Sequence, residues 1–220
     1  MNKKLSIVTS LHTSTKRNYL ERMNDSKIKC MEIANKFDER YWDGERRYGY
    51  GGYKYIPDRL KPVAEKIIEE YKLNNNSSIL DVGCGKGFLL FEIKKLLPKI
   101  KINGFDISEY GINNSPKEVR EFLFMHDAST NYPYKNDEFD LVISINTLHN
   151  LKINQLKIAL GELERVGKEK YIVVESYNNE KELFNLQCWA LTCQSFFSEK
   201  EWIWIFEKFN YTGDYEFIYF

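Results

Sequence analysis

The sequence lacks the features that would direct it to a membrane, to nucleic acid or to an oxidising compartment. Its 32 Lys and Arg residues equal its 32 Asp and Glu residues, so no basic field favours bulk nucleic-acid binding. No apolar run approaches the roughly 20 residues that a membrane-spanning helix needs, and the apolar region near Met1 is too brief for a signal peptide. The four cysteines include no C-x-x-C pair, which favours reduced thiols and a cytoplasmic location.

Candidate metal ligands and chain length both limit what the protein can be. The chain has three histidines, and a metal site would require histidines and carboxylates clustered at ligand spacing. His149 and Glu175 alone make too small a set, which favours a protein without a metal. With 220 residues the chain is long enough for one large α/β domain and short for two.

Three closely spaced glycines follow a short apolar run, and the rest of the chain is organised around this stretch. Residues 79–82 are typical of a buried strand, and from Phe88 onward apolar residues recur at helical spacing. Gly83, Gly85 and Gly87 lie between them, where glycine lets a ligand approach the backbone closely. A dinucleotide fingerprint G-x-G-x-x-G would require glycine at position 88, which is Phe. The turn therefore indicates a nucleotide other than a nicotinamide dinucleotide.

The pattern D-x-G-x-G-x-G over residues 81–87 resembles motif I of the class I S-adenosylmethionine-dependent methyltransferases. Three further matches follow in order: an apolar run that ends in Asp106, the tripeptide HDA at 126–128, and a run over 139–150 that resembles motif IV of that family. Their spacing builds successive βα units. The resemblance covers residues 60–220 at the level of fold, and it implies S-adenosylmethionine as cofactor and S-adenosylhomocysteine as product.

The resemblance also implies roles for individual residues. In the family, the acidic residue that ends the second strand binds both ribose hydroxyls, and here that residue is Asp106. A carboxylate suits this role because two vicinal hydroxyls need two acceptors held together. An acidic side chain after the third strand faces the adenine amino group, and here it is Asp127. The implied cofactor-binding residues are Asp81, Gly83, Cys84, Gly85, Gly87, Asp106, Ile107, Asp127, Ala128 and Asn146.

The expected fold is α/β, with a doubly wound, Rossmann-like methyltransferase sheet of six or seven mostly parallel strands. One clear strand follows the last helix, so the terminal antiparallel hairpin usual in the family stays open. We expect strands at 79–82, 101–106, 119–125, from 139 onward, at 170–176 and at 215–220. We expect helices over 10–38 (with Ser14 or Thr15 as cap), 57–71, 88–98, 107–114, 153–166 and 180–190, and one more that begins with a capping box of Ser198 and Glu201.

Residues 1–56 are expected to form a helical and Tyr/Gly-rich cover on a cofactor-binding domain of residues 57–220. Within the cover, glycines and aromatic residues are too closely mixed over 41–55 to favour a regular element. Arginines and Lys54 are interleaved with the rings, a mixture that suits a loop closing over a cofactor or an anionic substrate. A loop anchored by its rings, with a purely structural role, is the alternative.

His149 is the candidate general base. It follows the fourth strand, at the carboxyl ends of the strands, where open α/β sheets place their ligands. An unperturbed imidazole pKa of about 6.5 suits proton transfer. A histidine that only packs in its loop is the alternative. Glu175 would orient a substrate or His149, or else cap the next turn. The candidate substrate-binding residues are Arg47, Tyr50, Tyr53, Lys54, Asn150 and Glu175.

The resemblance implies methyl transfer to a small-molecule acceptor. Two stretches, Arg47–Tyr55 and Asn185–Cys193, resemble a subgroup of small bacterial methyltransferases associated with cell-surface polysaccharide genes. That subgroup implies O-methylation of a sugar, a nucleotide sugar or another anionic, phosphate-bearing precursor. Two alternatives stay open: a methyltransferase for another small metabolite or an amine, and a non-catalytic S-adenosylmethionine-binding partner subunit. Neither nucleic acid nor a membrane is expected as a partner, and the oligomeric state stays open.

Overall fold

Six parallel strands form the central sheet of the computed structural model, which describes residues 2–13 and 17–220. The strands are β1 (Ser78–Val82), β2 (Lys101–Asp106), β3 (Leu123–Met125), β4 (Phe139–Ile145), β5 (Gly167–Glu175) and β6 (Asp214–Ile218). Their order in the sheet is β3-β2-β1-β4-β5-β6, and every neighbouring pair is parallel. The chain therefore starts in the middle of the sheet and winds outward in both directions, which confirms the expected doubly wound fold.

Helices connect the strands and precede the sheet. None of the described helices combines the length and the apolar character that crossing a membrane requires. The helices before β1 are α1 (Thr9–Thr13), α2 (Tyr19–Asn24), α3 (Lys27–Ala34), α4 (Glu39–Trp42), a 3₁₀ turn (Arg46–Tyr48) and α5 (Lys61–Glu70). Those that follow are α6 (Phe88–Leu96), α7 (Glu109–Asn113), α8 (Lys117–Arg120), a 3₁₀ turn (Leu148–Asn150), α9 (Ile153–Val166), α10 (Glu180–Trp189) and α11 (Glu199–Lys208).

The sheet has an apolar core on each face because successive residues of a strand point to opposite sides. In β4, Leu141 belongs to one core and Val142 to the other. The first core is completed by α5 and α6, whose Ile67 and Leu90 are fully buried. The second is completed by α9 and α11, including the buried Trp202. The carboxyl ends of the central strands are left as the edge on which a site can form.

The prediction of one long helix over 10–38 is wrong, because the described part of that segment contains three short helices. Ser26 has φ 46°, a left-handed conformation that an α-helix cannot contain, and it separates α2 from α3. The expected cap at Ser14 or Thr15 lies outside the described residues. Regular turns also occur inside 41–55, where none was expected: α4 ends at Trp42, and a 3₁₀ turn covers Arg46–Tyr48.

Three further boundaries differ from the sequence-based expectation, and one is that of the strand expected at 170–176, which begins at Gly167 and ends at Glu175. The strand expected from Val119 begins only at Leu123, because Pro116 starts a helical turn that places Val119 in α8. The helix expected from residue 57 begins at Lys61, after a turn in which Asp58 has φ 60°. The last strand, β6, pairs in parallel with β5.

The amino-terminal residues are bound to the last strand of the sheet. The buried Glu216 accepts hydrogen bonds from the backbone N–H groups of Ile7, Val8 and Thr9 at 2.6, 3.0 and 2.6 Å. Its carboxylate also accepts a hydrogen bond from the hydroxyl of Tyr171 in β5. Ile7 and Val8 are themselves part of the first core. This carboxylate thus replaces the missing intrahelical partners of the N–H groups where α1 begins.

Candidate active site

The glycine turn between β1 and α6 has the conformation that its spacing predicts. Gly83 and Gly85 have φ of 80° and 56°, which side chains rarely adopt. A Cβ on Gly83 would lie 2.1 Å from Oγ1 of Thr147, and one on Gly85 would lie 2.8 Å from the ring of Trp42. Neither position has room for a larger residue, so backbone forms this wall of the site.

Asp106 holds the glycine turn from the end of β2. Its Oδ2 accepts the N–H of Gly85 at 2.8 Å, and its Oδ1 accepts the N–H of Ser108 at 2.8 Å. Burial raises the pKa of Asp106, while these backbone hydrogen bonds act in the opposite direction. Because the two oxygens of a carboxylate have four lone pairs between them, Asp106 keeps acceptor capacity for a ligand beside its backbone partners Gly85, Ser108 and Ile107.

Asp81, the last but one residue of β1, is a buried carboxyl group without a hydrogen-bond partner in the part of the chain described. Burial, together with the nearby Asp106 charge, raises its pKa to about 8. A carboxyl group in this state is expected to gain from a cationic or hydrogen-bonding ligand group in the cavity, which would favour its ionised form.

A cavity of about 630 Å³ opens at the carboxyl ends of the central strands. Its volume lies within the range of about 300–1,000 Å³ that is usual for small-molecule sites. It brings together most residues that the sequence indicated: Asp81, Gly83, Cys84, Gly85, Asp106, Ile107, Asp127, Ala128, Asn146, His149, Asn150, Glu175, Tyr50, Tyr53 and Lys54. Asn146 has φ 58°, a left-handed conformation at the end of β4 that Asn tolerates better than most residues.

Two expected site residues do not line the cavity. Gly87 is at the start of α6, where a Cβ would lie 2.7 Å from Cδ1 of Leu123. Arg47, expected to bind substrate, forms an ion pair with Asp25. The neighbouring Arg46 lines the cavity instead. The 3₁₀ turn over Arg46–Tyr48 is the physical reason, because it directs consecutive side chains to different sides.

The cover is attached to the glycine turn by a ring stack and by a lysine. Trp42 and Tyr50 are stacked with centroids 5.2 Å apart, and Tyr53 lies 4.5 Å from Tyr50 and 5.1 Å from Phe88. Lys86 is 3% exposed and donates hydrogen bonds to the carboxylate of Asp43 in the cover. The indole N–H of Trp42 donates to Oγ of Ser108 at 2.8 Å. Aromatic side chains of the cover therefore form the wall that faces the cofactor turn.

His149 is buried, and both of its ring nitrogens face Glu175. The backbone N–H of Glu175 donates to Nδ1 at 3.3 Å, and Nε2 lies 3.5 Å from Oε2 of the Glu175 carboxylate. Burial lowers the pKa of His149, against the Glu175 charge. The ring is therefore neutral with its proton on Nε2. In this tautomer the ring has one lone pair, on Nδ1, and that lone pair accepts the backbone N–H of Glu175. The general base expected at His149 would need this lone pair for the proton of the substrate.

The segment after α10 supports this arrangement, although it has no regular secondary structure. The carbonyl oxygen of His149 accepts the N–H groups of Gln194 and Ser195 at 2.9 and 3.0 Å. Thr192 donates from its hydroxyl to Oδ1 of Asn150 at 2.8 Å. The apolar stretch that precedes Phe197 in the sequence therefore supports the part of the cavity that His149 and Asn150 line.

A basic wall of the cavity was missed in the sequence. It consists of Arg17, Arg22 and Arg46, whose guanidinium groups surround the ring of Trp189. No local pattern connects positions 22, 46 and 189. Only the interleaving of arginines with aromatic residues was a signal, and it indicated the wrong arginine.

Known proteins share this fold and parts of this sequence. Residues 73–210 match the family profile described as "Methyltransferase domain", which is more than half of the chain. The chain belongs to this methyltransferase family. It carries the class I fold, and the cofactor of such a domain is S-adenosylmethionine. The methyltransferase domain so identified includes the glycine turn, Asp106, Asp127, His149 and Glu175.

Individual relatives are distant and differ in their acceptors. The chain is 31% identical over 109 residues to the ribosomal RNA small subunit methyltransferase C of Buchnera aphidicola, covering 48% of this chain and 31% of that protein. It is 22% identical over 159 residues to the ubiquinone biosynthesis O-methyltransferase of Rickettsia bellii, covering 71% and 65%. A SAM-dependent methyltransferase from Aquifex aeolicus superimposes with a TM-score of 0.51 at 24% identity, covering 70% and 82%.

The chain spans only about a third of the first of these relatives, so what the whole protein acts on is a matter for proposal.

Proposed function

We propose that this protein transfers the methyl group of S-adenosylmethionine to a hydroxyl group of a small acceptor. The observation that carries the proposal is that one cavity joins the glycine turn and Asp106 to the pair formed by Glu175 and His149. When bound, the cofactor supplies a methyl group carried on its sulfonium sulfur, and loss of that methyl group leaves the thioether of S-adenosylhomocysteine. The acceptor must then be held in line with that methyl group.

The cofactor-binding roles are assigned by the contacts that are still open. Asp106 would accept the two ribose hydroxyls with the lone pairs that Gly85 and Ser108 leave free. Asp127 would accept a hydrogen bond from the adenine amino group. Its Oδ1 accepts the N–H of Ser129 at 2.7 Å, which holds the carboxylate in its loop. Asp81 would lie next to the cationic end of the cofactor, which would give its buried carboxyl group a partner.

Glu175 is proposed as the general base, with His149 as its positioning residue. A hydroxyl group needs to lose its proton as its oxygen bonds to the methyl carbon, and a carboxylate within the cavity can accept that proton. Glu175 lines the cavity, and Nε2–H of His149 faces its carboxylate. This assignment replaces the base role expected of His149, because its Nδ1 lone pair already accepts the N–H of Glu175.

The acceptor is proposed to be a sugar, a nucleotide sugar or a related precursor of a surface polysaccharide. Polar groups suited to hydroxyl-rich molecules line the acceptor end, among them Asn150, Thr192 and Glu175. Such precursors would be methylated in the cytoplasm and without a metal. Both of these points remain predictions.

Calorimetric titration with S-adenosylmethionine, S-adenosylhomocysteine and NADH tests the cofactor, and transfer of a labelled methyl group to a panel of sugars and nucleotide sugars tests the acceptor. Asp106→Asn is expected to weaken binding of S-adenosylhomocysteine by about tenfold or more, the loss expected for a charge-assisted hydrogen bond. Asp140→Asn is the matched control, because Asp140 is the second residue of β4 and is paired with Lys168 outside the cavity. Failure of the two sulfur nucleosides to bind would overturn the proposed function.

A further inference from the structure

Three arginines converge on one indole ring at the wall of the cavity. The Cζ atoms of Arg22, Arg46 and Arg17 lie 4.5, 5.1 and 5.3 Å from the centroid of the Trp189 ring. All four side chains line the cavity. A guanidinium group stacked on an aromatic face keeps its in-plane N–H groups available, so the ring orients the arginines without consuming their donors.

Two of these arginines have no carboxylate to neutralise them. Among the described residues, the ion pairs formed by arginines involve Arg40, Arg47 and Arg165, and none involves Arg22 or Arg46. Arg22 donates only to main-chain carbonyl oxygens, those of Trp189 at 2.9 Å and Arg46 at 3.0 Å.

The contacts of Arg46 are equally limited. It donates from Nη1 to the carbonyl oxygen of Gly49. Since a guanidinium group has five N–H donors, both Arg22 and Arg46 keep donors for a ligand. Burial, followed by the charge of Arg46, lowers the pKa of Arg22 to about 10, while the charge of Asp25 acts in the opposite direction.

The arginines lie on the acceptor side of the cavity. Trp189 ends the helix that follows β5, whereas Asp106 ends β2 and Asp127 follows β3, on the other side of β1. Arg17 and Glu175 line the same cavity, and burial lowers the pKa of Arg17 while the charge of Glu175 acts in the opposite direction. The nucleoside end of the cavity is thus acidic and the end beyond Glu175 is basic.

We propose that Arg22 and Arg46, oriented by Trp189, bind an anionic oxygen group of the methyl acceptor, a phosphate or a carboxylate. This inference rests on the proposed function, because it names the acceptor of that reaction as an anion. The planar fork of a guanidinium group matches two oxygens of such a group, and the low exposure of the cavity strengthens the pairing. An anion bound here would direct the rest of the acceptor toward Glu175.

The carboxylate of the cofactor's own methionine group is a second source of the same chemistry, and the experiment separates the two. The full chain, saturated with S-adenosylhomocysteine, is titrated with inorganic phosphate by calorimetry at an ionic strength held constant with chloride. The wild type is expected to bind phosphate, and Arg22→Gln and Arg46→Gln are each expected to weaken it by at least about tenfold. Affinity for S-adenosylhomocysteine should stay within about twofold in both variants.

Arg40→Gln is the matched control, since it removes an arginine of the same cover whose partner is the exposed Asp38 outside the cavity. Arg22→Lys keeps the charge but not the fork, and its phosphate affinity should be intermediate. Retained binding of S-adenosylhomocysteine shows that each variant is folded.

Three outcomes would overturn the inference. These are absence of phosphate binding to the wild type, phosphate affinity in both glutamine variants equal to that of the wild type, or competition between phosphate and S-adenosylhomocysteine with loss of cofactor affinity in the variants. The last would assign the arginines to the cofactor carboxylate. If the wild type fails to bind S-adenosylhomocysteine at all, the proposed function fails, and the same phosphate titration without it still tests the anion site.

Discussion

Lys86 donates to both carboxylate oxygens of Asp43, at 2.9 and 2.7 Å, and so joins the glycine turn to the cover. It also donates to the carbonyl oxygen of Tyr53 at 2.9 Å, while the hydroxyl of Tyr110 donates to Asp43 at 2.9 Å. Lys86 follows Gly85 directly, so the backbone that would cradle the cofactor and the rings that cover it are held by one buried ammonium group. The position of the cover is therefore coupled to the conformation of the cofactor turn.

Asp43→Asn should destabilise the protein markedly. The change leaves the buried ammonium group of Lys86 without its charge partner, and breaking a buried pair costs about 3–5 kcal/mol. Because a quarter of the Asp43 side chain is exposed, we expect the lower end, about 3 kcal/mol. Denaturant unfolding measures the difference. Asp25→Asn, which breaks the exposed pair with Arg47, is the control and should cost less than about 1 kcal/mol. Equal effects would show that burial of Lys86 does not matter.

Asp81 should make the ligand-free protein less stable as the pH rises. Its folded-state pKa of about 8 exceeds the unfolded value of about 3.9, so between these values the folded state holds a proton that the unfolded state has released. The free energy of unfolding therefore falls across that window, by a few kcal/mol. Asp81→Asn removes this titration. The free energy of unfolding of the variant, relative to that of the wild type, should therefore be greater at about pH 8.5 than at about pH 5. Urea unfolding at the two pH values would show a parallel change in both proteins if the assignment were wrong.

Ligand binding should also release a proton from Asp81. A cationic group placed beside the carboxyl group favours its ionised form, so binding of S-adenosylhomocysteine near neutral pH is expected to be accompanied by loss of protons. Calorimetry in two buffers with different ionisation enthalpies measures the number released. Asp81→Asn should abolish most of this release, whereas equal release from the variant would assign it to another group.

His149 should stay neutral, with its proton on Nε2, below the pH at which an ordinary imidazole becomes charged. Burial lowers its pKa, and the N–H of Glu175 occupies Nδ1. Nitrogen-15 NMR of the imidazole groups detects both the charge and the tautomer, and His149→Gln identifies the signal. A ring protonated on both nitrogens at about pH 6 would contradict this arrangement.

The general-base assignment predicts a specific order of kinetic effects once an acceptor is known. Glu175→Gln should lower kcat by about 10²–10⁴-fold, the range for loss of a general base, with unchanged cofactor affinity. His149→Gln should lower it less, because this residue positions the carboxylate. The reverse order would return the base role to His149.

Glu216→Gln should weaken the attachment of the amino-terminal segment. The amide nitrogen of Gln would face N–H donors where Glu216 now accepts from Ile7, Val8 and Thr9, and an unsatisfied buried group costs about 1–3 kcal/mol. Thermal unfolding measures the loss. Glu70→Gln, which breaks the exposed pair with Lys3, is the control and should be nearly neutral. A neutral Glu216→Gln would show that the segment does not depend on this carboxylate.

Much of the fold was readable from local patterns. Short apolar runs predicted β1 and β2 almost to the residue and the start of β4, because a strand buried on both faces is continuously apolar. The spacing of Gly83 and Gly85 predicted the cofactor turn, since positive φ and close approach both select glycine. Boundaries failed where a single backbone conformation decided them, as at Ser26 and at Pro116.

Side-chain direction in the site depended on the tertiary structure. The close mixture of glycines and aromatic residues placed Arg46 and Arg47 in the same loop, but only the folded 3₁₀ turn pairs Arg47 with Asp25 and directs Arg46 to Trp189. Likewise, the sequence indicated His149 at the mouth of the cavity, yet only the packing of β5 against its loop brings the Glu175 N–H to Nδ1. The local sequence determines where the backbone can turn, whereas the direction of a side chain depends on partners more than twenty residues away, about which a local pattern carries no information.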